Sequence, residues 1–342
     1  MKKSILFVLA VFLCSFLCGC YDKTEIEDIK TVSAVCVESG KITYCTITTS
    51  PGEKSYGFEL YPVETEDLHE GLNSISVKLG KEISVSHLGA IMFKKDCPPS
   101  LIHSVCTSAA IGSEIHPKVM TAFVDMEFDE FFNKMSIPTD SLMYKKISDV
   151  LDDRYAAVTQ CTVMDMYHAL MHETLGANVP VIALDKDANI SILGMGHISG
   201  NNVAFFDKPL ADTVNLLENS GKSVYFRLSN ISVAAKVIGG HVDYDAKQNH
   251  MSISLDIGAS GGGKSVDDLS REELRERIYM DIQNILSQKN IGFDILHLNR
   301  QMQKKFLTEQ KFIDFQNSNG GFSSMMKNLT IDINIFVSEG DV

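Results

Sequence analysis

The sequence lacks three features that would each point to a common class of protein. Beyond its first twenty residues it has no apolar run near the roughly 20 residues of a membrane-spanning helix, and runs such as residues 179–184 have the length of a strand. It has no basic excess, because 31 lysines and arginines stand against 44 acidic residues. Its cysteines do not have zinc-site spacings. We therefore predict no spanning helix in the mature chain, no metal site and no nucleic-acid partner, since an acidic surface repels phosphate.

The first twenty residues have the pattern of a bacterial signal peptide. Lys2 and Lys3 precede an apolar run over residues 5–17, close to the roughly 7 to 15 residues of a signal-peptide core. The run ends in Leu-Cys-Gly-Cys at residues 17–20, which resembles a lipobox, the cleavage motif of bacterial lipoproteins. We predict that residues 1–19 are removed and that Cys20 is lipidated, with palmitate among its acyl chains. The alternative is an ordinary secreted protein in which Cys20 is a core thiol.

A lipid anchor would place the protein on a membrane without crossing it. One acyl chain binds only marginally, whereas the two or more chains of a bacterial lipoprotein hold it stably. The chain offers no polybasic segment that would add attraction to an anionic leaflet. We therefore expect the lipid on Cys20 to provide the membrane attachment.

The length of the chain, 342 residues, exceeds what a single hydrophobic core usually serves. We predict a lipidated tether over residues 20–30, an N-terminal domain over residues 31–186 and a C-terminal domain over residues 187–342, in which residues 187–230 are a candidate middle subdomain. Strand and helix patterns alternate in the N-terminal domain, beginning with a hairpin and a helix whose apolar stripe ends at Leu79.

The second half has a different sequence pattern, in which short apolar runs are separated by Asp, Asn and Gly turns, as in a β-meander. We predict helices over residues 270–289, with Glu273 completing a capping box, and over residues 293–315, and a terminal strand over residues 328–337. The fold class is therefore α/β in the mixed α+β sense: multidomain, with mixed sheets and packed helices.

Five cysteines remain once the signal peptide is removed and Cys20 is lipidated. A two-residue turn after Glu38 would set Cys36 opposite Thr43 and Cys45 opposite Ala34. The two thiols then lie diagonally, roughly 7 to 8 Å apart, which is too far for an easy disulfide. We expect buried free thiols, for these five residues: Cys36, Cys45, Cys97, Cys106 and Cys161.

Three segments share the features of one known family. Cys-Tyr-Asp-Lys-Thr-Glu-Ile at residues 20–26 is similar to a post-lipobox Cys-Trp-Asp followed by basic and acidic residues, with Tyr21 in place of Trp. Residues 70–93 are similar to a helix that ends in a short turn with a histidine, His87, before a strand. Residues 294–306 follow a late helix of the same family. The order of these parts resembles the Ger(x)C family, the lipoprotein C subunits of spore germinant receptors.

The resemblance covers nearly the whole mature chain, although His297 and Asn299 stand where the family usually has glycine. It implies a mixed α/β fold of the family's own kind. It also implies a non-enzymatic subunit with no cofactor, which works with membrane-embedded A and B subunits in spore germination. The implied location is the extracytoplasmic face of the spore inner membrane. An extracytoplasmic solute-binding lipoprotein with two similar doubly wound lobes is the alternative.

Residues 258–265, Gly-Ala-Ser-Gly-Gly-Gly-Lys-Ser, satisfy the phosphate-loop pattern of nucleotide-binding proteins. Such a loop needs a buried strand before it and a helix that opens at its lysine, so that backbone amides face the phosphates. The preceding strand alternates between polar and apolar residues, and Asp267 and Asp268 lie where phosphate would bind. We therefore interpret the segment as a glycine linker, with a nucleotide-binding protein as a remote alternative.

Three histidines are candidate site residues. His168 and His172, with Asp165, share a face of a predicted helix and have the spacing of two metal ligands, but they lack the His-Glu-x-x-His order of a metalloprotease. His87 precedes a strand, where a structural role is the commoner one. The sequence also has no nucleophile elbow. We therefore predict no catalytic, cofactor-binding or metal-binding residue, and Cys20 as the one modified position.

Overall fold

The computed structural model describes residues 29–49, 56–112, 114–135, 147, 149–151, 159–172, 175–218, 222–261, 266–287 and 294–340. Cys20, the signal peptide and nearly all of the tether lie outside the described residues. Within the described ranges the chain forms two sheets, each with helices packed against it. No helix in this part of the chain is long and apolar enough to cross a membrane.

The first sheet has nine strands in the order β3-β2-β1-β5-β6-β7-β8-β9, with β4 beside β1. Its central neighbours β1, β5, β6 and β7 are parallel, and the pairs toward both edges are antiparallel. The strands are β1 (Ile29–Glu38), β2 (Lys41–Thr49), β3 (Tyr56–Val63), β4 (Glu82–Ser84), β5 (Ala90–Lys94), β6 (Met120–Val124), β7 (Ala177–Leu184), β8 (Ile190–Ser199) and β9 (Asn202–Asp207).

The β1–β2 hairpin has the predicted register. Its turn places Gly40 at φ +75°, a left-handed conformation that glycine adopts without steric cost. Cys36 pairs with Thr43, and Ala34 pairs with Cys45. The prediction that the two thiols share one face on a diagonal is therefore confirmed.

Helices cover both faces of this sheet, since each parallel pair of strands needs a crossover. Three helices pack on one face with a large apolar cluster that includes Phe93 and Phe123, and one helix packs on the other face with Phe131. These helices are α1 (Leu68–Leu79), α2 (Pro99–Ile111) and α4 (Val163–Met171) on the first face and α3 (Phe128–Met135) on the second.

Helix α1 shows how local sequence sets an element and its packing. Asp67 caps the N-terminus of the helix, because its carboxylate accepts a hydrogen bond from the backbone N–H of Glu70, and the helix therefore begins at Leu68. Gly80 ends the helix in a left-handed conformation. Gly71 lies against Tyr44, whose hydroxyl donates to the carbonyl of Leu68 at 2.6 Å. A Cβ at Gly71 would lie 2.1 Å from that hydroxyl, so only glycine fits there.

The second sheet has four strands in the order β10-β11-β12-β13, in which β12 and β13 are parallel. Its core includes Phe226, Ile257 and Ile278. The strands are β10 (Val224–Arg227), β11 (Ser232–Asp245), β12 (His250–Ser260) and β13 (Thr330–Glu339), and the helices of this half are α5 (Lys208–Glu218), α6 (Asp268–Ser287), α7 (Leu298–Gln303), α8 (Glu309–Ser318) and α9 (Gly321–Lys327).

Two sequence predictions for this half are wrong. The single helix over residues 293–315 is instead the pair α7 and α8, because Thr308 adopts an extended conformation and its hydroxyl caps a new helix by accepting from Lys311 N–H. The capping box with Glu273 does not form. Asp267 accepts the Ser270 N–H at 2.8 Å, while Glu273 accepts hydrogen bonds from Ser229 on the β10–β11 turn.

The boundary that we predict between the two domains follows residue 186. The first sheet continues past this residue, because β8 and β9 extend it beside β7. Helix α5 then packs on β8 and on α6, and an apolar cluster with Met195, Val214 and Ile285 joins the two halves. The division between residues 186 and 187 stays a prediction. The end of α5 also forms one wall of a cleft between the two sheets.

A polar cleft between the two sheets

A cleft lies where the first sheet meets the C-terminal half, and it has a volume of about 880 Å³. Its walls come from α4, the start of β7, the end of α5 and the region around α7. The lining residues are Thr159, Gln160, Cys161, Asp165, His168, Ala169, Leu175, Gly176, Ala177, Asn178, Leu217, Glu218, Leu296, His297, Arg300, Gln301 and Lys304.

Asn178 is the centre of a hydrogen-bond network at the floor of the cleft. It is buried on β7, and its Nδ2 donates to Glu218 Oε1 at 2.6 Å and to the carbonyl of Ile295 at 3.1 Å. Its Oδ1 lies 2.6 Å from His197 Nδ1. Because the amide nitrogen is already the donor, the amide oxygen accepts, and His197 Nδ1 carries the proton.

Glu218, at the end of α5, is held from two other sides. His297 Nε2 lies 2.9 Å from its Oε1, and the Thr159 hydroxyl donates to its Oε2 at 2.6 Å. Asn178, His197, Glu218 and His297 together form what we call the polar bridge. It connects β7 and β8 of the first sheet to the segment that precedes α7, so it joins the two halves of the protein by polar contacts beside the apolar cluster.

Burial sets the charge state of His197. Its imidazole is fully buried, and desolvation, with a smaller contribution from nearby His297, lowers its pKa from 6.5 to about 3. The ring is therefore neutral at physiological pH. Gly176 packs directly on the ring, since a Cβ there would lie 2.3 Å from His197 Cε1.

His297 adopts φ +52°, a left-handed conformation that is uncommon for residues other than glycine. His297 is one of the two residues that stand where the Ger(x)C family usually has glycine. Buried Asp294 holds the following turn by accepting the N–H groups of Leu298 and Asn299, and burial raises its pKa. The hydrogen bonds around Asp294 and Glu218 thus hold a backbone turn that glycine would adopt without strain.

Of the three residues with the spacing of metal ligands, which we did not predict to bind a metal, Asp165 and His168 line this cleft and His172 does not. Asp165 accepts from the backbone N–H and the hydroxyl of Thr162, which completes the capping box of α4. His168 and His172 stack, with ring centroids 6.4 Å apart. Among the described residues, no group of three His, Cys, Asp or Glu side chains could hold a metal ion. His87 is exposed in the turn between β4 and β5.

The phosphate-loop pattern does not begin in a loop. Gly258, Ala259 and Ser260 belong to β12, and Gly258 pairs with Lys236 on one side and Ser338 on the other. The half-exposed alternation predicted for this strand is confirmed. Residues 262–265 lie outside the described residues. The first glycine of the pattern is thus part of the sheet ladder, where its backbone cannot cradle a phosphate.

The five cysteines of the described chain are all buried and unbridged. Burial raises the pKa of Cys45 and of Cys97 to about 12. Cys36, with its thiol near Cys45, and Cys106, near Cys161, also have raised pKa values. The thiols are therefore protonated and unreactive at neutral pH.

Sequence reasoning missed the polar bridge. Asn178 is a single polar residue in the otherwise apolar strand Ala177–Leu184, and a lone amide in a buried strand is a signal that could have found it, because a buried amide requires partners. Its partners lie as far away as Ile295, so no local pattern identifies them.

Comparison with known proteins identifies the family. Residues 22–184 match the family model described as spore germination protein N-terminal domain. Spore germination protein KC of Bacillus subtilis (strain 168) is 21% identical over 198 residues, which are 52% of this chain and 48% of that protein, so the match spans about half the length of this curated relative. The crystal structure of the GerBC protein aligns with a TM-score of 0.52 at 10% identity, over 88% of this chain and 93% of that one.

The structural match confirms the predicted mixed α+β fold, with its two sheets and packed helices. The family match begins two residues after Cys20 and ends at Leu184, the last residue of β7. It therefore covers the hairpin, the parallel strands and helices α1 to α4, which include the segment around His87 on which the resemblance rested. Residues 22–184, nearly half of the chain, therefore belong to the Ger(x)C family of spore germination proteins.

Proposed function

We propose that this protein is the lipid-anchored, non-catalytic C subunit of a nutrient germinant receptor and that it acts in spore germination. The observation that carries the proposal is the family match over residues 22–184, supported by the GerBC-like fold of the rest of the chain. The partners that we propose are the membrane-embedded A and B subunits of such a receptor.

The proposed anchor is the lipid on Cys20, which places the folded part on the extracytoplasmic face of the spore inner membrane. Two observations support it. The run before Cys20 has a lipobox pattern, and the family match begins two residues after Cys20. With β1 starting at Ile29, only eight residues separate Cys20 from the first strand. A chain of this length spans at most about 30 Å, so the first sheet would lie close to the membrane surface.

A non-catalytic role is supported by the chemistry of the cleft. Glu218 is held by Asn178, Thr159 and His297, and Asp165 is held by Thr162, so both carboxylates already have hydrogen-bond partners. His197 is neutral and buried behind Asn178. General acid–base catalysis needs a titrating group that is available to a substrate, and the partners or the burial of Glu218, Asp165 and His197 do not favour that role.

The two alternatives are less well supported. A solute-binding lipoprotein of the kind we considered would have two similar doubly wound lobes, whereas here a nine-stranded sheet is joined to a four-stranded one of different topology. A nucleotide-binding protein would need a free loop at Gly258, which instead lies in β12 between two strands.

The anchoring experiment compares two cysteine variants in spores. Cys20→Ala should release the protein from the membrane fraction or block its maturation, and should impair germination with nutrients. Cys18→Ala is the matched control, because a small residue at that position keeps the lipobox intact and should leave both processes unchanged. Membrane retention and normal processing of Cys20→Ala would contradict the proposed anchor.

The receptor role is tested by deleting the gene. Spores that lack the protein should fail to respond to one set of nutrients and should still germinate with agents that bypass nutrient receptors. Restoring the wild-type gene should restore the nutrient response. Unchanged responses to every nutrient in spores whose other nutrient receptors are also deleted would refute the proposed role.

A further inference from the structure

The cleft between the two sheets is lined by two cationic side chains that form no ion pair within the described part of the chain. The whole chain has a net charge of −13, yet Arg300 and Lys304 line the same cleft. They are four residues apart at α7, a spacing at which like charges on one face repel each other. Among the described residues, neither forms an ion pair, and Lys304 Nζ donates only to Gln301 Oε1 at 2.8 Å.

The two carboxylates that line the cleft do not fill this role. Glu218 receives hydrogen bonds from Asn178, Thr159 and His297, and Asp165 serves the cap of α4. An acidic protein has many carboxylates with which to pair two cations. Buried Asp294 interacts electrostatically with Arg300, but both of its oxygens already accept backbone N–H groups of the turn. Arg300 and Lys304 thus line a concave site without a direct ion pair, which an anionic ligand would supply.

The remaining walls indicate what kind of anion fits. Leu175, Leu217 and Leu296 provide apolar surface in the same cleft. A volume of about 880 Å³ lies within the range of sites for small molecules. A guanidinium binds a carboxylate with two parallel hydrogen bonds, and an ammonium group adds a second charged contact.

We propose that this cleft binds a small organic carboxylate with a short apolar body, whose carboxylate lies between Arg300 and Lys304 and whose body lies against the leucines. Because the walls belong to both halves of the protein, the bound solute would contact α7 on one side and α4 and β7 on the other. The inference rests on the geometry of the cleft and not on the receptor role.

Three compounds of similar shape test the chemistry by calorimetry with the full chain in detergent. Isovalerate and L-valine carry the carboxylate, and isobutylamine has a similar skeleton without it. We expect saturable binding of isovalerate or valine and none of isobutylamine. Inorganic phosphate separates a carboxylate site from a general anion site. Binding of phosphate as tightly as of either carboxylate would overturn the proposed ligand class, as would the absence of saturable carboxylate binding.

Variants test the location. Arg300→Gln and Lys304→Gln should each weaken carboxylate binding by about tenfold or more, since each removes a charge-assisted contact. Lys311→Gln is the matched control, because Lys311 is an exposed lysine on α8 outside the cleft. Both altered side chains lie at the cleft surface, and unchanged circular dichroism will establish that the variants fold. Carboxylate binding that survives in the Arg300→Gln, Lys304→Gln double variant would refute the site, and it would leave the receptor role untouched.

Discussion

The buried histidine of the polar bridge makes the stability of the protein depend on pH in a defined direction. His197 has a pKa of about 3 in the folded protein and an ordinary value of 6.5 in the unfolded chain. As the pH falls below 6.5, the unfolded chain takes up a proton that the folded protein does not. The contribution of His197 to stability is therefore fully present above pH 6.5 and is lost progressively between pH 6.5 and about 3.

The magnitude follows from these two values. Each pH unit over which only the unfolded chain is protonated costs about 1.4 kcal/mol. Between pH 7 and pH 5 the loss from His197 is thus about 2 kcal/mol of unfolding free energy. Buried Asp294 and the partly buried Asp212 and Asp281, whose pKa values burial raises, also contribute to the pH dependence of stability. Their contributions cancel in the difference between the wild type and a variant at position 197.

The measurement is urea unfolding of the wild type and His197→Gln at pH 7, 6 and 5. Glutamine keeps an amide donor near Asn178 but does not reproduce the packing of the buried ring, so the variant should be less stable than the wild type at pH 7. Glutamine also has no proton to gain as the pH falls. The gap should narrow by about 2 kcal/mol at pH 5. His87→Gln, which removes an exposed imidazole, is the control and should show no such narrowing. Parallel stability curves for the wild type and His197→Gln would refute the reasoning.

Three further predictions address other parts of the molecule. Gly71→Ala should destabilise the protein by about 1 to 3 kcal/mol in thermal or urea unfolding, because the added methyl group would collide with Tyr44. An unaltered stability of Gly71→Ala would contradict the packing of α1. The thermal midpoint should be equal with and without reductant, since the five described thiols are buried and unbridged; a drop of several degrees on reduction would reveal a disulfide. Lys264→Ala should change stability by less than about 0.5 kcal/mol, as for ordinary surface substitutions, and ATP with magnesium should give no saturable heat with the wild type; micromolar binding lost in the variant would restore the nucleotide hypothesis.

Local sequence determined much of the element order. The hairpin register follows from a two-residue turn with glycine, and the buried stripe of α1 follows from apolar residues three and four apart. The strict alternation before Glu339 predicted β13, the last strand. Each of these is a short-range property, carried by turn geometry or by the period of a single element, so it can be recognised without knowing the partners.

Capping was less predictable, because several polar side chains compete for the same amide. Glu273 has the spacing of a capping box, yet it bonds to Ser229, and Asp267 caps α6 in its place. Likewise the periodic run after residue 293 continues through Thr308, but its hydroxyl starts a separate helix. These outcomes depend on which neighbour the fold brings within hydrogen-bond distance.

The sequence by itself also determined the family, because its signal lies in the order of short segments along the chain, and it placed the expected lipid on Cys20. Only the tertiary structure decided the cleft. Asn178, Glu218 and His297 come from three separate elements, and each alone is an unremarkable polar residue. They meet because β7, α5 and the turn before α7 pack together. A hydrogen bond between residues as far apart as Asn178 and Ile295 has no periodicity, so it becomes visible only when the chain is folded.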